Sequence, residues 1–402
     1  MKTLKKSFIS LFIILTILLL CSCKNSNKIK VGILQYTTIN ALDNAKEGII
    51  EGLKENGFIE GENIVISVLN PEADPTSLDI MAKDLVRKSD IVIGIATPAA
   101  VALQTAAKNE GKNIPIVFTA VTDPVDAKLV KDINAPEANI TGTSDMNPVN
   151  EQIEIIKRII PNIKKMGILY TVNETNSKVQ ADIAAAKAKE LGIDVSFGQV
   201  TGINDITQIT RNIITNGAEA LYIPTDNNLA KNMPALVEVA NSLNVITIVG
   251  EAGMCSNGGL ITLGINYKEL GKMTGDMAAS ILKGSKISSL AVKALSIEQC
   301  DFTINMTTAK ALKIEIPKDI LDVSKLIETG EWYVRNDKIY NNWCFVHGAS
   351  ICPTCTWYFC KLQNLRLFRF DLRRKFHIRR SSMCKWHYSR NKSLAYIYLR
   401  RC

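Results

Sequence analysis

Apolar positions in the central part of this chain form short continuous runs that alternate with longer segments of helical spacing. The short runs predict strands at residues 29–34, 63–69, 91–95 and 114–119. The helical spacing predicts helices at residues 44–56, 76–88 and 98–107. Strands that alternate with helices form βαβ units whose strands lie parallel. This part of the chain therefore predicts a doubly wound parallel sheet.

The same alternation starts again further along the chain. Strands are predicted at residues 165–170, 194–198, 218–223 and 245–250. Helices are predicted at residues 149–160, 177–191, 206–216, 229–243 and 269–282. Two series of βα units in succession predict an α/β protein with two Rossmann-like lobes, each a parallel sheet flanked by helices.

Residues 90–99, which read DIVIGIATPA, predict a buried strand that leads directly into a helix. Thr97 stands where a helix N-cap is expected, and Pro98 where the first helical residue is expected. A helix that begins at the carboxyl edge of a parallel sheet presents free backbone N–H groups there, which suits an anion. Such turns are also ordinary α/β structure, so the assignment depends on the rest of the chain.

The N-terminus has the features of an export signal. Lysines precede a mostly apolar run, which ends in Cys21, Ser22 and Cys23. A cysteine after small residues resembles a bacterial lipobox. We therefore expect residues 1–23 to be a lipoprotein signal peptide, Cys23 to be lipidated and residues 24–28 to be a tether, with Cys21 as the alternative lipidation site.

The segment 341–402 differs from the rest of the chain. It holds all three histidines and many basic residues, so the net charge of +9 arises from this tail and the signal. That charge does not indicate nucleic-acid binding by the folded part. Cys352 and Cys355 lack a second ligand pair at zinc-finger spacing. Since the codons for residues 351–358 permit YALLALGI in the next reading frame, we interpret the tail as a frameshifted product.

The region between the two ends offers no catalytic apparatus. It contains no histidine, no phosphate-binding P-loop and no GxGxxG after the first strand. We therefore expect a binding protein and not an enzyme, with neither cofactor nor metal. Cys255 and Cys300 are expected to be free thiols, although an exported protein could pair them.

Several strings in this chain resemble one family. They are residues 95–101 (IATPAAV), 118–125 (FTAVTDPV), 253–254 (GM), 258–260 (GGL), 264–275 (GINYKELGKMTG), 33–35 (ILQ) and 223–227 (IPTDN). The strings resemble the ABC-transporter substrate-binding proteins of the tryptophan/tyrosine/phenylalanine-binding group. The similarity extends from about residue 28 to about residue 317.

The resemblance implies a type I periplasmic-binding-protein fold, in which two lobes joined by a hinge of several crossings close on a small ligand. Crossings are implied at residues 139–145, 263–267 and 298–305. Lobe 1 is then residues 29–141 plus roughly 267–300, and lobe 2 is residues 142–266 plus roughly 301–320. An ABC permease and its ATPase are the implied partners, with the protein lipid-anchored on the extracytoplasmic face of the cell membrane and no nucleic acid bound.

An amino acid presents a carboxylate, an ammonium group and a side chain, and each needs its own partner. Thr97, Pro98, Ala99 and Thr119 are expected at the carboxylate. The ammonium requires a buried acid, because an unpaired buried charge is costly. Asp226 and Asp145 are the first candidates for this acid, and Glu251 and Asp123 are the next. As alternatives, Asp226 and Asp123 fit turns, and Asp145 fits a helix cap.

The remaining candidates concern the ligand side chain. Tyr36, Tyr170 and Met254 are expected to form its walls and Gln35 to orient the ligand, with Ser144, Asn227 and Gly253 also at the site. An aromatic amino acid is the favoured ligand. A nucleoside or a branched-chain amino acid remains an alternative, as does a ligand-sensing protein of the same fold.

Overall fold

The structure is a computed structural model that describes residues 28–136 and 139–328. The predicted signal peptide, the lipidation site at Cys23 or Cys21, and the anomalous segment 341–402 lie outside the described residues. Within them, no helix combines the length and the apolar composition needed to cross a membrane.

The chain begins with strands and helices in regular alternation. They are β1 (Ile29–Gln35), α1 (Asn40–Glu55), β2 (Ile64–Leu69), α2 (Pro75–Lys88), β3 (Ile91–Ile95), α3 (Thr97–Asn109), β4 (Ile116–Val121) and β5 (Ile140–Ser144). The next elements are α4 (Val149–Ile159), β6 (Lys165–Thr171), α5 (Thr175–Glu190), β7 (Asp194–Val200), α6 (Ile206–Thr215), β8 (Ala220–Ile223), α7 (Asn227–Lys231), α8 (Met233–Ser242), β9 (Ile246–Val249), α9 (Ala252–Ser256) and β10 (Ile261–Gly264). The last are α10 (Tyr267–Leu282), β11 (Lys293–Ala294), β12 (Asp301–Asn305), α11 (Met306–Leu312), α12 (Lys318–Leu321) and β13 (Lys325–Ile327).

The strands form two separate sheets, which confirms the predicted two-lobed α/β fold. The sheet of lobe 1 has the order β11-β5-β4-β3-β1-β2, and all its described pairings are parallel. The sheet of lobe 2 has the order β13-β12-β10-β9-β8-β6-β7. Its described pairings are parallel except that of β10 with β12. Buried aliphatic residues pack on the faces of both sheets.

The chain passes between the lobes three times. It leaves lobe 1 after β5, returns after β10 and crosses again between β11 and β12. Most of the stretch 139–145, predicted as a crossing, is strand β5 of the first sheet, and residues 145–148 connect it to α4.

Several helix starts differ from the sequence predictions, and three of the differences have a clear reason. Helix α1 begins at Asn40, earlier than the predicted residue 44, and no side chain caps this start, so the sequence carries no start signal there. The N-cap of α3 is Ala96, so Thr97 is the first helical residue and not the cap. The predicted helix 229–243 is two helices, and Pro234 stands in the first turn of the second. Cys255 and Cys300 are free thiols, as predicted.

Helices α1 and α10 pack together at glycines. A Cβ atom added at Gly48 would lie 2.0 Å from a backbone oxygen of α10, and one added at Gly271 would lie 2.0 Å from a backbone oxygen of α1. One turn further along, Gly52 and Gly275 approach the opposite backbone in the same way. This contact fixes α10, which follows a lobe 2 strand, against lobe 1.

We predict that Gly271→Ala lowers the free energy of unfolding by about 1–3 kcal/mol. The added methyl group would meet backbone atoms of α1, which cannot move aside as a flexible side chain can. The midpoint of thermal unfolding measures the effect. Gly202→Ala is the matched control, since nothing lies within 4 Å of a Cβ atom added there. Equal midpoints for both variants would contradict the close helix contact.

Candidate ligand-binding site

A small cavity lies between the lobes, where strands of both sheets end. Its volume is about 20 Å³, room for about one water molecule, so the lobes are closed around it. The residues that line it are Ile39, Ala41, Leu42, Ala120, Asp145, Asn176, Thr225, Asp226, Asn227, Ala230, Glu251 and Tyr267. Ligands of open α/β sheets bind at this carboxyl edge.

The two lobes contribute different chemistry to the cavity. Lobe 1 supplies an apolar wall from the start of α1 and the end of β4, namely Ile39, Ala41, Leu42 and Ala120. Lobe 2 supplies carboxylates, amides and a hydroxyl from the loops after β6, β8 and β9. None of the described residues that line the cavity is Lys, Arg or His.

Asp226 lines the cavity and also caps α7. Its carboxylate accepts hydrogen bonds from the backbone N–H of Leu229 at 2.9 Å and of Thr171 at 2.6 Å. The hydroxyl of Thr171 donates a third at 2.9 Å. Burial raises the pKa of Asp226 despite these donors. The turn role considered for this residue and its place at the cavity therefore coexist.

Glu174 is a buried carboxylate that the sequence analysis missed. It accepts hydrogen bonds from the backbone N–H of Asn227 at 2.8 Å and of Asn228 at 2.9 Å, and from the Asn227 side-chain amide at 2.8 Å. Burial and the nearby charge of Asp226 raise the pKa of Glu174 to about 8. Two carboxylates thus share the first N–H groups of α7.

Two further carboxylates line the cavity. Glu251 caps α9, accepts a hydrogen bond from the backbone N–H of Met254 at 2.8 Å, and has its pKa raised by burial to about 7. Asp145 accepts hydrogen bonds from the hydroxyls of Tyr267 at 2.8 Å and Thr122 at 3.0 Å. Burial raises the pKa of Asp145 as well. The lining is therefore rich in acids without an opposing cation.

Tyr36 stands on lobe 1 near the acids of lobe 2. It follows β1, is half-buried, and donates its backbone N–H to the carbonyl of Ile95 at 3.2 Å. Burial and the charges of Glu174 and Asp226 raise the pKa of Tyr36 to about 12. The phenol therefore remains protonated and able to donate a hydrogen bond at neutral pH.

The start of α3 lies next to the cavity lining. Strand register pairs Ile95 with Thr119, and the residues that follow them, Ala96 and Ala120, both have positive φ, 82° and 54°. The backbone N–H of Ala96 donates to the carbonyl of Thr119 at 3.0 Å. The hydroxyl of Thr97 is buried and has no hydrogen-bond partner among the described residues. Pro98 is half-buried in the first turn, whereas Ala99 packs in the lobe 1 core.

Two of the predicted walls belong to the core of lobe 2. Tyr170 packs edge-on against Phe197, with ring centroids 6.0 Å apart, and Met254 is fully buried among apolar residues. Gly253 lies where a Cβ atom would come within 2.9 Å of the Cβ atom of Asn40, so it marks a close approach of the lobes.

Gln35 and Thr119 bond within lobe 1. The amide of Gln35 donates to the carboxylate of Asp43 at 2.9 Å, and the hydroxyl of Thr119 accepts from Thr143 at 2.9 Å. Neither residue lines the cavity.

Asp123 and Ser144 form local turns and do not line the cavity. Asp123 accepts from the backbone N–H groups of Val125 and Asp126, each at 2.9 Å, as its turn alternative predicts. Ser144 donates to the backbone oxygen of Thr122 at 2.8 Å.

The chain matches known proteins over this entire two-lobed region. Residues 30–326 match the ABC transporter substrate-binding protein family. A tyrosine-binding protein of Clostridioides difficile is 35% identical over 77% of this chain and 85% of its own length. The chain belongs to the ABC transporter substrate-binding proteins. Members of this family are extracytoplasmic solute-binding components of ABC transporters, and the fold is the type I periplasmic-binding-protein fold.

Two solved structures of similar identity differ in their overall similarity to this substrate-binding protein. An ABC domain of Streptococcus pneumoniae in complex with L-Trp has 35% identity and a TM-score of 0.70. The ligand-free, open structure of a Clostridium difficile substrate-binding protein with adhesive properties also has 35% identity, but a TM-score of 0.59. Both comparisons cover 75% of this chain and 99% of the other. The structure of this chain is therefore more similar overall to the L-Trp complex than to the ligand-free, open structure.

Polar contacts join the two lobes. Lys231, at the end of α7, forms an ion pair with Glu72 of lobe 1 at 2.6 Å and donates to the hydroxyl of Thr37 at 3.3 Å. The ammonium group of Lys231 lowers the pKa of Glu72 to about 2. Gln180 of lobe 2 donates to Thr122 of lobe 1 at 3.3 Å.

We predict that Lys231→Met weakens ligand binding about two- to five-fold, mainly through faster dissociation, because the ion pair forms only when the lobes meet. Stopped-flow dissociation rates at low and high salt measure this effect. Lys83→Met is the matched control, since its ion pair with Asp79 lies within α2. A Lys231→Met rate equal to that of the control would show that this pair does not stabilise closure.

Proposed function

We propose that this substrate-binding protein captures an aromatic amino acid between its lobes and delivers it to an ABC permease and its ATPase. The proposal rests on one observation above all. A closed interlobe cavity combines buried carboxylates with an apolar wall. The relatives described as tyrosine-binding and L-Trp-bound share 35% of their residues with this chain.

The buried acids suit the ammonium group of an amino acid. Asp145, Asp226 and Glu251 line the cavity, and the lining residues include no basic side chain. A buried carboxylate is costly unless a partner of opposite charge or several donors compensate it. The protein supplies the donors, and in this proposal the ligand supplies the positive charge. Asn227 lines the cavity beside these acids and donates its backbone N–H to Glu174.

The ligand carboxylate is proposed to bind at the start of α3. Helix N-termini present backbone N–H groups and a positive dipole end to an anion. The unpartnered hydroxyl of Thr97 adds a hydrogen-bond donor there. Ala120 lines the cavity, and Ala96, the N-cap of α3, donates its backbone N–H to the carbonyl of the preceding residue, Thr119, which brings the start of α3 next to the lining.

The ligand side chain is proposed to lie against lobe 1. Ile39 and Leu42 provide apolar surface there, with Ala41 and Ala120 beside them, and Ala230 of lobe 2 adds a further apolar side chain to the lining. Pockets for small molecules combine such a wall with a few polar groups. The role of Tyr36 would be to face the lobe 2 acids from the same wall.

In this proposal the protein binds its ligand and releases it unchanged. The cavity acids already accept hydrogen bonds from backbone N–H groups and hydroxyls, an arrangement suited to binding, and we propose no catalytic step. We further propose that residues 1–23 direct export and that a lipid on Cys23 holds the protein at the membrane.

A ligand screen by thermal shift tests this function. The purified protein is heated with each of the twenty amino acids, with nucleosides and with analogues of leucine, a branched-chain amino acid, each at millimolar concentration. A ligand that binds only the folded state raises the unfolding temperature by mass action, even with micromolar affinity. We predict stabilisation by tyrosine, tryptophan or phenylalanine. Stabilisation only by a nucleoside or a branched-chain amino acid would contradict the aromatic ligand.

A further inference from the structure

Asn176 lies in the first turn of α5 and lines the cavity. Its side chain is only 8% exposed. Its Oδ1 atom has no hydrogen-bond partner among the described residues, although the atom is buried. Nearly all buried polar atoms in proteins have a partner, so this one needs an explanation.

Hydrogen bonds on the other side of the Asn176 amide fix its orientation. Nδ2 donates to the backbone oxygen of Thr225 at 2.9 Å and to the carboxylate of Glu174 at 3.3 Å. Rotation of the amide by half a turn would place Oδ1 against these two acceptors, which is unfavourable. The free atom is therefore the acceptor, as donor and acceptor assignments must follow the hydrogen-bond network.

A buried acceptor without a partner destabilises the protein, and a ligand donor within hydrogen-bond distance would remove that penalty. The group must carry an N–H or O–H and must suit a lining rich in carboxylates. An ammonium group meets both conditions, because it has donors only and carries a positive charge. A carboxylate meets neither of them.

We propose that Asn176 is a specificity-determining residue whose Oδ1 atom accepts a hydrogen bond from the ammonium group of the bound amino acid. Glu174 is the positioning residue, since it holds the Asn176 amide and the N-terminus of α7 in one network. The inference rests on the proposed function and adds to it the residue that distinguishes an amino acid from its deaminated analogue.

The test compares two ligands that differ only in the ammonium group, L-tryptophan and 3-(indol-3-yl)propanoate, with tyrosine and its deaminated analogue as the second pair. Calorimetry gives the affinity ratio for the wild type, for Asn176→Leu and for Asn241→Leu. Asn241 is the matched control, because its Oδ1 is also buried and has no hydrogen-bond partner in the described part of the chain, but it lies on α8 and does not line the cavity.

We expect Asn176→Leu to weaken amino-acid binding about 10- to 100-fold and to change binding of the deaminated analogue by less than about three-fold. The control should leave the ratio unchanged. A ratio that Asn176→Leu does not alter would overturn the role of Asn176 while the proposed function stands. Failure of the wild type to bind any aromatic amino acid would overturn both.

A crystal structure of the wild type with its amino acid keeps the test decisive if Asn176→Leu does not fold. The proposal requires the ligand nitrogen within about 3.2 Å of Asn176 Oδ1. A ligand nitrogen beyond hydrogen-bond distance from this atom would refute it.

Discussion

The burial of negative charge between the lobes is the constraint on which the site depends. Asp145, Glu174, Asp226 and Glu251 are all nearly inaccessible to solvent. Helix N-termini make this possible, because the first N–H groups of α7 bind two of the acids and those of α9 bind a third. The short helices after β8 and β9 therefore hold carboxylates at the edge of the sheet. The negative charge of these carboxylates favours a cationic group on the ligand.

The helix contact in lobe 1 positions the opposite side of the cavity. Gly48 and Gly271 allow α1 and α10 to approach backbone to backbone. The N-terminus of α1 carries the apolar wall, and the first residue of α10, Tyr267, binds the carboxylate of Asp145. Close packing of two helices thus brings an apolar surface and a hinge acid to the same cavity, although their residues are far apart in sequence.

The sequence predicted the fold and the acids that directly follow strands. Asp145, Asp226 and Glu251 come one to three residues after β5, β8 and β9. Parallel strands end at one edge of their sheet, and the cavity lies where strands of both sheets end. Glu174 also comes three residues after its strand, β6, and it was missed because its partners, the first N–H groups of α7, lie more than 50 residues later in the sequence. Tyr170 was chosen instead, but its side chain points to a face of the sheet and packs in the core.

The apolar wall could not be predicted for a different reason. Ile39, Ala41 and Leu42 surround an uncapped helix start, so periodicity placed the beginning of α1 later and left these residues unassigned. Whether a buried atom such as Asn176 Oδ1 has a hydrogen-bond partner depends on its distances to segments that are separate in sequence. Sequence patterns carry no information about such distances, and only the assembled site reveals them.

The pH dependence of ligand affinity tests the central claim that the buried acids receive a cation. A carboxyl group with a raised pKa retains its proton at pH 6 and loses it as the pH rises through about 7 for Glu251 and about 8 for Glu174. A cation favours the ionised form, so its binding releases protons and strengthens as the pH rises. Calorimetry at pH 6 to 8, in buffers of different ionisation enthalpy, should show rising affinity for the aromatic amino acid with proton release. Constant affinity without proton release would contradict the account.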